Sequence, residues 1–364
     1  MPIWQRQFLT YHPVIGWWFI PNLKAMIPHD DSFYLLRTNS QGMRSNREYP
    51  LLRPGGRRRI ILLGDSYTAG DGVSNDERYS DRLEQLHPHL DVLNFGLPSS
   101  GTDQQFLIYE TLAKPFEADA YIFAILVENI LRNQQKYRPG GEPQTNFVVC
   151  RPKPYFTFDD NHLALHNQPV PPEERYMQEL KDQWNESSNV AYSVARRFVR
   201  CVLPFGIRRT IYRIRQRSNF LSRSRTNSPA QPYIGYESED SYGWQLLRRI
   251  LERFFEHVEG KPVFVVPLPT YHFFMTNVAS AYVPISEPIY LERFMKLEDR
   301  ACKRFVVDVL PYFLRLPTDE RQKCRGNDPH YTALAHAVVT RAISDAIAKS
   351  CPELLTVPQG DSSE

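Results

Sequence analysis

The chain has 364 residues, 42% hydrophobic and 23% charged, a mixture that excludes wholesale disorder and leaves room for about two domains or one large domain with an insertion. No stretch reaches the ~18 uninterrupted apolar residues of a membrane-spanning helix. Lys and Arg total 44 against 41 Asp and Glu, and the resulting +3 by itself implies no nucleic-acid partner.

Residues 1–57 are rich in aromatics, Pro and turn formers. They read as an N-terminal extension of irregular structure or short strands packed on the main domain, with Trp17, Trp18 and Phe19 as core. The first residues lack a basic segment followed by an apolar core of about 7–15 residues, so a cytoplasmic protein is expected. From there the pattern sharpens. Arg58–Leu63 is an apolar run stopped by Gly64, a buried strand, and residues Tyr79–His87 predict a helix. Asp91–Phe95 is a second strand, Gln104–Ala113 a helix, and Ala120–Val127 a third strand, apolar throughout. Tyr242–Val258 has helical periodicity, with Trp244, Leu247, Ile250, Leu251, Phe254 and Phe255 on one face. Pro262–Pro267 is a fourth strand, Tyr290–Asp299 a helix, Arg304–Val309 a fifth strand, and Thr332–Ala348 a long closing helix. Strands that are apolar on both faces and alternate with helices predict a parallel sheet covered on both sides, a three-layer α/β/α sandwich. Residues 58–135 and 240–350 form that domain, and 351–364 a flexible tail.

Residues 136–239 fit no βα unit and read as an insertion. Its first part is Pro-rich. From Ser187 to Tyr236 there is no Asp or Glu, while ten arginines fall between Arg196 and Arg225, so this stretch carries +10 and the remainder −7. Ile207, Ile211 and Ile214 recur at helical spacing among them, as in a basic amphipathic helix. Contact with an anionic glycan, a membrane surface or the acidic body itself fits this stretch. Nucleic acid is not expected, for lack of a recognisable binding fold. The five cysteines are scattered, without metal-ligand spacing, and read as reduced thiols.

The strongest local signal is Gly64-Asp65-Ser66-Tyr67-Thr68-Ala69-Gly70, directly after the first strand. In open α/β sheets ligands bind outside the carboxyl ends of the strands, so Ser66 faces the expected site. A serine there is a weak nucleophile until a base takes its proton, or it simply caps a helix. A base is available at the same edge: Asp328-Pro329-His330 precedes the last helix. Asp328 can hold His330 Nδ1 and leave Nε2 for Ser66. His336 falls inside a helix, and His87 and His89 flank Pro88, so packing suffices for these. Oxyanion donors are expected from the loop Asn94–Thr102 and from Asn129 after the third strand.

On these blocks the chain resembles the SGNH (GDSL-type) hydrolase superfamily. Ser66 stands in the nucleophile position of GDSYTAG, NFGLPSSGT resembles the second block, ENILRN the third, and DPH with YTALAH the last. The resemblance covers roughly half the chain. It implies a serine esterase or acyltransferase on a flavodoxin-like sheet, with no metal and no cofactor. The family's oxyanion glycine stands five residues after the loop Asn, here Ser99, with Gly101 as the alternative. Its third block reads Asn-Asp where this chain has Glu128-Asn129, leaving that register open by one residue. The last block is Asp-x-His rather than the usual Asp-x-x-His, a spacing of some polysaccharide O-acetylation relatives. NSQGMRS (39–45) and KPYFTFDDNHLAL (153–165) more weakly resemble bacterial members associated with surface polysaccharide. The leading expectation is a carbohydrate acetylesterase acting on an acylated sugar or polysaccharide. An O-acyltransferase is the alternative, and a non-catalytic glycan-binding protein a third.

Overall fold

The structure, a computed structural model, describes residues 8–29, 32–141, 148–159, 162–172, 235–258, 260–275, 288–326 and 328–357. The Arg196–Arg225 stretch, with its expected amphipathic helix and its glycan or membrane contact, lies outside the described residues.

The N-terminal extension forms two antiparallel hairpins, β1 (Leu9–His12) with β2 (Gly16–Phe19) and β3 (Lys24–His29) with β4 (Ser32–Arg37). Trp17, Trp18 and Phe19 are buried, as their clustering predicts. Trp18 closes over Gly42, which has a φ of 74° and would place a Cβ 2.7 Å from Trp18 Nε1.

The main domain follows with β5 (Arg58–Leu63), β6 (Leu90–Asn94) and β7 (Ala120–Leu126). The Pro-rich part of the insertion then folds into two further hairpins, which the sequence pattern does not announce. These are β8 (Tyr137–Gly141) with β9 (Val148–Pro152) and β10 (Tyr155–Asp159) with β11 (His162–His166). The chain returns to the sheet with β12 (Val263–Leu268) and β13 (Arg304–Val306). The last strand stops short of Val309 because Asp308 Oδ1 accepts the Leu310 N–H at 3.1 Å and turns the chain into a helix.

The five strands pair in the order β13-β12-β7-β5-β6, and every pair is parallel. This is the flavodoxin-like order, in which the chain reverses direction between its first and third strands. All of β7 and β12 is buried, as expected of strands covered on both faces. Helix α1 (Ser66–Ala69) follows β5, α2 (Tyr79–Leu86) leads to β6, and α3 (Thr102–Ile108) continues into a π turn at Tyr109–Ala113. After the insertion come α4 (Tyr242–His257), α5 (Ile289–Met295), α6 (Leu310–Leu314), α7 (Thr318–Lys323) and α8 (Ala333–Ser350). Helix α2 packs with α8, and α3 with α4. Right-handed crossovers in the two directions from β5 put these pairs on opposite faces, which makes the three layers. No helix of the described residues is long and apolar enough to cross a membrane.

His336 is a packing residue. It is buried in α8, stacks on Tyr79 and accepts the Tyr79 N–H through Nδ1 at 3.2 Å. Burial, helped by the charges of Arg78 and Arg44, pushes its pKa down from 6.5 to about 3.

Two outcomes follow from this packing. A Cβ at Gly96 would meet Ala69 N at 2.4 Å, whereas one at Gly55 meets nothing within 4 Å. Gly96→Ala is expected to cost about 2–3 kcal/mol and Gly55→Ala less than about 0.5 kcal/mol, read from urea midpoints at constant slope. His336 is neutral when folded and charges only in the unfolded chain. The stability it contributes is therefore present above pH 6.5 and is lost as pH falls from 6.5 toward 3. His336→Gln keeps an acceptor for Tyr79 and should lose less stability than the parent between about pH 7 and pH 5 in the same titrations.

Candidate active site

At the end of β5 the chain turns so tightly that a Cβ on Gly64 would lie 1.9 Å from Thr68 Oγ1. The Asp65 side chain caps the short helix that follows, accepting the Tyr67 N–H at 2.9 Å. Thr68 and Ala69 donate their N–H groups to the Asp65 carbonyl, and Gly70 closes the helix in the left-handed region, φ 81°. Among the described residues no acceptor takes the N–H of Ser66, the first residue of the helix and one of the donors a helix start leaves over. Ser66 is buried and sits where the sheet reverses direction, the place at which such sheets hold ligands.

His330 reaches the same point from the loop before α8. Its Nε2 lies 2.9 Å from Ser66 Oγ, and its Nδ1 is hydrogen-bonded to Asp328 Oδ1, which also accepts the His330 N–H at 2.9 Å. Burial raises the Asp328 pKa, but the His330 hydrogen bonds and charge outweigh it and hold it down to about 2. Asp328 is thus an acceptor at neutral pH, so Nδ1 carries the imidazole proton and Nε2 turns its lone pair to the serine. A two-residue spacing brings carboxylate and ring together because the chain bends through Asp328, Pro329 and His330, and the Tyr67 hydroxyl donates to the Pro329 carbonyl at 2.8 Å.

The expected oxyanion donors divide. The loop after β6 is bonded to the serine turn: Leu97 N–H donates to the Gly64 carbonyl at 3.0 Å, and Asn94 Nδ2 to Thr68 O at 2.8 Å. Ser99 adopts a left-handed conformation, φ 66°, at the position where the resembled family carries glycine. Gly101 instead starts α3, and its N–H faces Gln104 Oε1 at 3.4 Å, within its own helix turn. The two alternatives thus differ in backbone conformation, left-handed at Ser99 and extended at Gly101. Asn129 lies in the 3₁₀ segment Val127–Gln134 after β7 and is buried, while Glu128 is exposed. The Asn129 amide donates to Asp65 Oδ2, beside Ser66, which ties the end of β7 to the serine turn. Burial raises the pKa of Asp65, and Arg132, the Tyr67 N–H and this amide oppose the shift.

One residue at the site could not be weighed from sequence. Arg44, in the N-terminal extension, is buried and donates to Ala69 O at 2.8 Å, Gly70 O at 2.6 Å, Leu35 O at 3.2 Å, Val73 O and Asn75 Oδ1 at 2.9 Å. It closes the carbonyl end of the serine helix. Its signal is the NSQGMRS segment, which carries no chemistry until the fold brings it to the end of the helix that Ser66 begins.

The sequence matches no protein-family profile and no curated protein. Solved structures with similar folds include a member of the lipolytic G-D-S-L family from Veillonella parvula, 8% identical over 80% of this chain and 99% of that one, TM-score 0.37. Another is a lipase/acylhydrolase from Enterococcus faecalis, 12% identical over 80% and 96%, TM-score 0.38. A mutant of an acetyl-xylooligosaccharide esterase from Geobacillus is 11% identical over 81% and 95%, TM-score 0.38. Similarity this distant leaves the chemistry to the residues themselves.

The Arg44 network has a direct test. Lysine keeps the charge but offers three donors where the guanidinium satisfies five acceptors. Arg44→Lys should therefore destabilise the protein by about 2–4 kcal/mol in urea unfolding, and an unchanged midpoint would contradict the packing described.

Proposed function

We propose that this chain is a serine-dependent ester hydrolase of the SGNH type, acting through an acyl-enzyme on Ser66. The observation that carries the reading is the 2.9 Å approach of His330 Nε2 to Ser66 Oγ, with Asp328 on the opposite ring nitrogen. A nucleophile, a base within hydrogen-bond reach and a carboxylate that orients the base are the parts acyl transfer needs.

In this reading Ser66 Oγ attacks the ester carbonyl while His330 Nε2 takes its proton. Asp328 stabilises the imidazolium. The tetrahedral oxyanion faces the Ser66 N–H, the Ser99 N–H and the Asn129 amide. His330 then protonates the leaving alcohol, leaving the acyl group on Ser66. Water attacks the acyl-enzyme, His330 takes the water's proton, and the carboxylic acid departs as Ser66 recovers its hydrogen. No step draws on a metal or a cofactor.

The substrate proposed is a short acyl ester, acetyl foremost, on a sugar or polysaccharide. The Asp328-Pro329-His330 spacing supports a second reading, O-acyl transfer, in which a sugar hydroxyl replaces water in the second half-reaction. Both readings share the acyl-enzyme.

Hydrolysis of p-nitrophenyl acetate by the parent, Ser66→Ala, His330→Ala and the double variant tests the triad. Each single change should reduce kcat by at least about 10³-fold, and the double change by little more than either alone, because residues acting as one unit are not additive. Equal rates for parent and Ser66→Ala would sink the proposal. Product analysis with an acetylated donor and a xylooligosaccharide acceptor separates transfer from hydrolysis.

A further inference from the structure

Lys153 stands between the hairpins β8–β9 and β10–β11 of the insertion, in a region to which the sequence assigns no catalytic part. It is completely buried. Its Nζ is bonded to Asp103 Oδ2, to the Arg132 carbonyl at 3.3 Å and to the Gln135 carbonyl at 3.2 Å. An ammonium has three N–H donors, and each has an acceptor here.

The acceptors lie on the two segments that hold the proposed oxyanion donors outside the serine helix. Asp103 is also completely buried, stands at the start of α3, four residues after Ser99, and takes the Gln104 N–H at 2.8 Å on its other oxygen. Its own N–H donates to Asn133 Oδ1 at 3.3 Å. Arg132 and Gln135 close the 3₁₀ segment that carries Asn129, and Arg132 Nη1 donates back to the Ser100 carbonyl at 3.0 Å. The loop is held from its far side by Trp17 Nε1, which donates to the Pro98 carbonyl at 3.0 Å. A single ammonium thus joins the start of α3, into which the Ser99 loop runs, to the segment that carries Asn129. Apolar packing around them would tolerate small slips that three directed bonds to one buried charge do not.

We propose that Lys153 is a positioning residue of the oxyanion hole, supplied by the insertion, which sets the Ser99 loop and the Asn129 segment relative to Ser66. This rests on the esterase reading above. The insertion is on this account part of the catalytic framework as well as an appendage. A loose oxyanion hole binds the ground state as before but fails the transition state, so the loss belongs in kcat.

The main variant is Lys153→Met with Asp103→Leu, which removes the tie without leaving a lone buried charge. With p-nitrophenyl acetate, kcat should fall on the order of 10²-fold while KM stays within about twofold. Inhibition by phenylboronic acid, whose adduct on serine presents a tetrahedral oxyanion, should weaken by a similar factor. Lys153→Gln, neutral and with two donors, is the second variant should the first not fold, and the same split is expected of it. Lys153→Arg keeps the charge and the donors and should recover kcat by at least about tenfold over Gln. The proposal is overturned if a variant with a cooperative melt above the assay temperature turns over like the parent. It is equally overturned if kcat falls only in proportion to the unfolded fraction, with boronate affinity intact in the folded remainder. Ser66→Ala run in parallel separates the levels: parental rates there end the esterase reading and this proposal together, whereas parental rates in the Lys153 variants alone end only this one.

Discussion

A Cβ at Gly64 would lie 1.9 Å from Thr68 Oγ1, and one at Gly96 would lie 2.4 Å from Ala69 N, so the turn carrying Ser66 rests on the ends of β5 and β6 with no side chain between. That close approach governs the rest of the site. It brings the Gly64 carbonyl within reach of the Leu97 N–H and the Thr68 carbonyl within reach of Asn94, so the loop after β6 is registered against the serine turn by hydrogen bonds. It also places Asp65 where Asn129 can bond to it across the reversal point of the sheet. Three strand ends are thereby locked around one hydroxyl.

The layers and the attachments are held by different forces. The sheet and its helices are joined by apolar burial, which is strong but non-directional. The N-terminal extension and the insertion share that apolar core through Trp17, Trp18, Phe19 and Phe156, and are joined to the site in addition by buried charges with directed bonds. Arg44 gathers carbonyls at the end of α1, and Lys153 gathers Asp103 and the Arg132 and Gln135 carbonyls. A buried charge is costly unless every donor is matched, and that requirement makes such groups good registers: a small displacement leaves a donor empty in a low-dielectric interior. Burial alone would hold these segments near the site, whereas the bonds hold them in one position.

Much of the domain is legible in the chain itself. Arg58–Leu63, Ala120–Leu126 and Val263–Leu268 are runs apolar on both faces, and only a sheet covered on both sides can bury them. Ser66 and Asp328 with His330 are legible for a related reason, since the segments that lead from a parallel strand into a helix share one edge of the sheet. The two hairpins at 137–166 are not legible, because β10 and β11 are only five residues each and bury a single residue fully, Phe156, too short a signal to mark a strand. The difference between Ser99 and Gly101 is equally invisible, as each follows β6 within a few residues, and it shows only in the φ of 66° at Ser99 and in the Gly101 N–H facing Gln104 Oε1.

Composition and pattern by themselves determined a parallel three-layer domain with a serine, a histidine and a carboxylate at its carboxyl edge, because apolar periodicity and strand order act along the chain. The tertiary structure alone decided that Nε2 of His330 meets Ser66 at 2.9 Å, that Arg44 closes the serine helix, and that Lys153 is bonded to Asp103 and to the Arg132 and Gln135 carbonyls. These are contacts between residues tens to hundreds of positions apart. Their existence depends on angles and distances of a few tenths of an ångström that no local pattern encodes. The extra length and uneven charge of the chain could not reveal that one lysine of the insertion would be buried beside the site.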